Sequence, residues 1–196
     1  MVAAVNPKKA LAILGSGAGS NADALCAYAQ SHECSYSPAV IITTSAEAGI
    51  CSVAAKYQVP LAVIPQGADL ASELSRLLSE YSIDALALAG FMRLLPQATI
   101  AQLNGDVFNV HPALLPLFGG KGMYGLHVHT AVLESGVPVT GATIHLVSDR
   151  YDEGAVLARS EVTIPDGIDA MQLQQIVKRI EHELYPATIS VYLRKR

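Results

Sequence analysis

A chain of 196 residues with 51% hydrophobic and 15% charged residues holds enough apolar material for one ordinary core and lies far from disordered compositions. Its net charge of -4 excludes the basic footprint that phosphate-backbone binding needs, so nucleic acid is not an expected partner. Three cysteines, Cys26, Cys34 and Cys51, make neither a disulfide framework nor a Cys-x-x-Cys pair, which fits a reducing, cytoplasmic setting.

In chain order, Lys8 and Lys9 precede an apolar run of five residues, too short for the roughly 7–15 of a signal-peptide core, so the run reads as a first strand. Strands are expected over 10–15, 39–43, 61–64, 85–88, 107–110, 143–147 and 156–162. Most are continuously apolar, as strands buried on both faces are. The longest such stretch, 85–92, falls far short of the roughly 20 residues a membrane helix requires, so no membrane association is expected.

Between strands, Leu70, Leu74, Leu77, Leu78 and Tyr81 recur at helical spacing, as do Leu173, Ile176, Val177, Ile180 and Leu184. The last helix should start at Asp169 as N-cap and break or restart at Pro186, leaving a short helix over 187–193. The stretch 112–129, with two prolines and four glycines, reads as a long loop of the kind that carries function. The alternation of strands and helices predicts an α/β fold, a mainly parallel twisted sheet flanked by helices, in a single domain over 1–196.

Gly15-Ser16-Gly17-Ala18-Gly19-Ser20-Asn21 follows the first strand and leads into a helix with Ala22, Leu25 and Ala29 facing inward. Backbone amides at such a helix start favour an anion. The acidic residue of a dinucleotide site is missing, since Thr43 and Thr44 end the second strand, and no lysine follows the glycines as in an ATP-hydrolysing loop. A lone phosphate remains, beside the plainer reading of a tight turn capped by Ser20 or Asn21.

Asn109 and His111, two apart at the end of the fifth strand, point to one face and together offer an amide donor and an imidazole, the makings of an oxyanion hole. Downstream, His145 and the loop 148–154 bring carboxylates that would orient His111 and manage protons. The competing reading is a strand cap beside a solvated acidic loop. Zinc held by His111, His127, His129 and His145 is a further alternative, but no His-x-x-x-His helix or cysteine pair supports it. No metal is expected.

Ser16 to Asn21, Leu88-Ala89-Gly90-Phe91-Met92-Arg93-Leu94-Leu95, Asn109-Val110-His111-Pro112-Ala113-Leu114-Leu115-Pro116 and Glu181-His182-Glu183-Leu184-Tyr185-Pro186 together resemble the phosphoribosylglycinamide formyltransferase family, over about residues 9–191. The resemblance implies a formyltransferase fold with a Rossmann-like, phosphate-binding N-terminal half over about 8–104. It implies a folate-binding, catalytic half over about 105–196. The activity implied is transfer of the formyl group of 10-formyltetrahydrofolate to the amine of glycinamide ribonucleotide, by a monomer or homodimer.

By the same resemblance Asn109, His111 and Asp152 are the catalytic residues, with a protonated His111 kept charged by Asp152. Gly19, Ser20 and Asn21 would hold the acceptor's phosphate, with Lys178, Glu181, Met92 and His127 also on the substrate. Arg93, Leu94, Leu95, Asn109, Ser148 and Asp149 would contact the folate. The sequence departs from the family pattern at Glu153, where glycine is common, at Gly67, where some members carry arginine, and in the longer loop 118–125. A formyltetrahydrofolate hydrolase is the alternative, because it would present the same catalytic trio; its usual extra domain is not expected here.

Overall fold

The computed structural model describes residues 7–196; residues 1–6 of the expected domain lie outside that description. Seven strands form one sheet: β1 (Lys9–Leu14), β2 (Tyr36–Thr43), β3 (Leu61–Val63), β4 (Ala85–Leu88), β5 (Val107–His111), β6 (Val139–Leu146) and β7 (Val156–Thr163). Their order is β3-β2-β1-β4-β5-β6-β7, parallel from β3 to β5, with β6 antiparallel to β5 and β7 antiparallel to β6. All seven expected strands form, although β6 begins four residues earlier than 143.

Six helices cover the sheet: α1 (Ser20–Ala29), α2 (Ile50–Tyr57), α3 (Leu70–Glu80), α4 (Gln97–Gln102), α5 (Leu126–Ser135) and α6 (Ala170–Leu193). Leu11, Ile13, Ala85, Ala87 and Phe108 pack with α1, α2 and α6, whereas Ala12, Leu14, Leu86 and Val107 pack with α3 and α4. This two-sided burial is why the strands read as unbroken apolar runs. A third cluster joins α5 and α6 to Ala113 and Ala142.

Two expectations about helices are corrected. The loop after His111 ends at Gly125, because α5 already begins at Leu126 and buries Val128 and Val132. Helix α6 begins as expected at Asp169, whose carboxylate accepts from the Gln172 amide in a capping box, but it runs unbroken through Pro186. A proline inside a helix forgoes one backbone bond and costs about 3 kcal/mol. Burial of Tyr185, Pro186, Ile189, Ser190 and Leu193 on both sides of the missing bond offsets that loss.

Tyr185 fixes α6 to the sheet. Its buried hydroxyl lies 3.0 Å from the Leu88 carbonyl oxygen at the end of β4 and 2.9 Å from that of Phe108 in β5. Replacing Tyr185 by Phe removes the donor while leaving two buried acceptors, and should lower unfolding stability by about 1–3 kcal/mol. A denaturant melt with unchanged m-value checks this; an unshifted midpoint would mean that the hydroxyl does not bear on stability.

Candidate active site

β4 and β5 pair only at Leu86 with Val107 and Ala87 with Phe108, then diverge. Between their carboxyl ends opens a cavity of about 540 Å³, where ligands of open α/β sheets bind. The glycine loop, the segment after β4, the end of β5, the loop before α5, the loop after β6 and one face of α6 all line it.

The start of α1 lines part of it. Gly19 is its N-cap, at φ 84°, and contributes no capping side chain, so neither Ser20 nor Asn21 caps the turn as the plainer reading held. A side chain on Gly19 would be strained at that φ and would bring its Cβ within 2.8 Å of Ile50 Cα. The first amides of α1 thus have no side-chain cap where Gly19, Ser20 and Asn21 line the cavity, a setting for an anion. Asn21 Nδ2 donates to Glu181 Oε2 at 2.8 Å, and Asn21 Oδ1 is buried without a partner. Burial pushes the Glu181 carboxyl above the usual range, opposed by that bond and by Lys178. Lys178 lines the same cavity.

Asn109 and His111 line the same cavity from the end of β5, on the strand face opposite to Val110. Asn109 lies directly across from His145 on β6, which places the two side chains together, and Asn109 Nδ2 donates to His145 Nε2 at 3.1 Å. His145 Nδ1 in turn donates to the Leu146 carbonyl at 2.9 Å, which fixes its tautomer.

His111 is 3% exposed. Its Nε2 donates to the Phe118 carbonyl at 2.8 Å, and its Nδ1 lies 3.5 Å from Asp152 Oδ2. Asp152 Oδ1 lies 3.6 Å from His145 Nε2, and Oδ2 accepts from the Gly120 amide at 2.9 Å. One carboxylate therefore accepts from a loop amide and stands beside a ring nitrogen of each of two imidazoles. Phe118 and Asp152 both sit at positive φ, 55° and 59°, a costly conformation for residues with side chains.

Burial pulls the His111 imidazole below the usual histidine range, while Asp152 and the Phe118 carbonyl pull it up and His145 pulls it further down. The resting ring is therefore biased toward neutral, against the expectation of a standing imidazolium. Burial of Asp152 works against its charge, but His145, His111 and the Gly120 amide outweigh it and hold the carboxyl below the ordinary carboxylate range.

The remaining expected site residues divide. Met92, Arg93, Leu94, Leu95 and Ser148 line the cavity beside Arg150 and Tyr151, whereas Asp149 does not. His127 lies exposed on an outer depression against Tyr124, while His129 is 1% exposed and lines the cavity. Two residues apart on α5, these histidines face opposite ways, so the four-histidine cluster does not assemble, and among the described residues no group suited to a metal ion occurs.

Sequence alone offers His129 only as a metal ligand. Its Nδ1 is buried without a partner, and burial, with His111 and Lys178 nearby, pulls its imidazole down from 6.5 to about 4. The folded protein thus binds this proton less readily than the unfolded chain, so stability falls as pH drops from 6.5 toward 4. His129→Gln should flatten that fall by about 1–3 kcal/mol in melts across the range, and an unaltered slope would place the loss on other groups.

The chain matches the formyl transferase family over residues 9–189. It is 34% identical over 195 residues to the chloroplastic phosphoribosylglycinamide formyltransferase of Arabidopsis thaliana, covering 96% of this chain and 67% of that one. The corresponding protein of Vigna unguiculata is 34% identical over 194 residues, with 96% and 62% covered. The chain thus spans about two thirds of the length of these plant relatives. Among solved structures, the phosphoribosylglycinamide formyltransferase of Brucella melitensis superposes with a TM-score of 0.85 at 34% identity, covering 95% of this chain and 96% of that one.

Proposed function

Because this chain belongs to the formyl transferase family, we propose that it transfers the formyl group of 10-formyltetrahydrofolate to the amine of glycinamide ribonucleotide, a step of purine biosynthesis. The observation that carries this reading is the one cavity that the glycine loop and the polar trio line together. The amides of Gly19, Ser20 and Asn21 and the Lys178 ammonium suit a phosphate, and Asn109, His111 and Asp152 line the same cavity. Glu181, held by Asn21, suits the ribose or glycinamide part of the acceptor. Met92, Arg93, Leu94, Leu95 and the segment 148–152 suit the folate.

In this reading the acceptor amine attacks the formyl carbon, one C–N bond forms, and the C–N bond to the folate breaks as the amine's proton passes to the leaving nitrogen. Asn109, which gives one amide hydrogen to His145, has a second for the developing oxyanion. Negative charge on that oxygen raises the proton affinity of His111, reversing the bias that burial imposes on the resting ring. Asp152 steadies the imidazolium and relays the proton. Cys26 and Cys34, buried free thiols, suit a cytoplasmic enzyme.

Mixing the protein with 10-formyltetrahydrofolate, with and without glycinamide ribonucleotide, tests the assignment by release of deformylated folate. Turnover should require the acceptor, persist in chelator, and fall about 10²–10³-fold in kcat for Asn109→Ala. Release without acceptor would mark a hydrolase, and a near wild-type Asn109→Ala rate would refute the mechanism.

A further inference from the structure

A row of three residues crosses the last strands of the sheet. Thr143 on β6 is paired directly with His111 on β5, and Arg159 on β7 is paired directly with Thr143. Directly opposed residues share a face, so the three side chains stand side by side. None of the sequence motifs contains Thr143 or Arg159.

Both grip the segment that leaves β5. The fully buried Thr143 hydroxyl accepts from the Leu115 amide at 3.0 Å and donates to the Ala113 carbonyl at 2.6 Å. Arg159 Nη2 donates to the Leu115 carbonyl at 2.6 Å. The amide and carbonyl of Leu115 are therefore both fixed by side chains of the sheet, and its own side chain is 4% exposed. A Cβ on Gly119 would come within 2.6 Å of Leu115 Cδ2 and 3.3 Å of Asp152 Cβ, so the Gly119 backbone lies wedged between Leu115 and Asp152. Its neighbours on either side make the contacts that matter: the Phe118 carbonyl takes the His111 Nε2 proton, and the Gly120 amide holds Asp152 Oδ2.

We infer that Thr143 and Arg159 are positioning residues for His111, clamping Leu115 so that the Phe118 carbonyl fixes the ring as its Nε2–H form and leaves Nδ1 to exchange protons beside Asp152. The hydrogen bond at one ring nitrogen decides which form a histidine takes, and a backbone carbonyl can bind only a protonated nitrogen. Without the clamp, the loop backbone at Phe118 lacks its fixed footing, and ring orientation and tautomer are set by Asp152 and His145 alone among the groups around it, with His129 on α5 as the remaining titratable neighbour.

This inference rests on the proposed formyl transfer for its kinetic readout, and the ring itself supplies a second readout that needs no activity. Thr143→Val keeps shape and removes the hydroxyl, Thr143→Ser restores it, and Arg159→Met acts from an exposed position where folding is less at stake. Imidazole ¹⁵N NMR of the intact protein should show His111 as the Nε2–H form in wild type and Thr143→Ser. A mixed population and a lower titration midpoint are expected in Thr143→Val and Arg159→Met. In formyl transfer the latter two should lose on the order of 10-fold in kcat with KM for both substrates nearly unchanged. Folded variants whose His111 spectrum matches wild type would overturn the inference, whatever their rate, and so would a change confined to KM. If wild type fails to transfer formyl at all, the spectra still decide the positioning role while the functional reading falls.

Discussion

The Tyr185 hydroxyl sits against the carbonyl oxygens of Leu88 and Phe108, at the point where the pairing of β4 and β5 ends. One turn earlier on the same helix, Glu181 reaches Asn21 at the start of α1. Helix α6 thereby ties the carboxyl ends of β4 and β5 to the start of α1. Residues i and i+4 lie on one helical face, so a single side of α6 meets both demands. That explains why a proline between Tyr185 and Ile189 does not end the helix: the contacts that flank it belong to the part of the molecule that α6 cannot leave.

At Asn109, His111 and Asp152, the chemistry depends on an imbalance between burial and charge. His111 and His145 share one carboxylate, and no arginine or lysine pairs with Asp152 among the described residues. The carboxylate accepts one hydrogen bond from the Gly120 amide and faces the ring nitrogens that are unprotonated in neutral His111 and His145, while burial resists a positive charge on His111. Negative charge developing beside that ring would favour its protonation, which suits a site that must develop and then discharge an oxyanion. The left-handed backbone at Phe118 and Asp152 places the carbonyl and the carboxylate on opposite ring nitrogens of His111, and that arrangement is where the local strain is spent.

Much of this was readable in the chain. Apolar runs locate all seven strands because the sheet is buried on both faces, and the alternation along β5 puts Asn109 and His111 on one side. The capping box at Asp169 is a local device and could be read locally. The tolerance of α6 for Pro186 is not legible locally because it comes from tertiary packing. His127 and His129 are adjacent in spacing terms but opposite on α5, and the glycine-rich run before them hid the helix that separates them. Asn109 meets His145 only through the register of two antiparallel strands, which no local pattern encodes.

Register has a further consequence for how this site tolerates change. The loop before α5 holds Gly119, Gly120, Gly122 and Gly125, and among residues 118–125 only Phe118 and Met123 pack against the core, so contacts from outside help to set its shape. The sheet does so at Leu115, through a hydroxyl and a guanidinium from two strands that reach the loop only because β6 and β7 are in register with β5. A slip of one residue in that hairpin would turn Thr143, His145 and Arg159 to the other face at once. The antiparallel hairpin appended to an otherwise parallel sheet is thus more than cover for its edge. It is the template that holds the ring of His111 and the carboxylate of Asp152 in one arrangement while the loop between them stays rich in glycine.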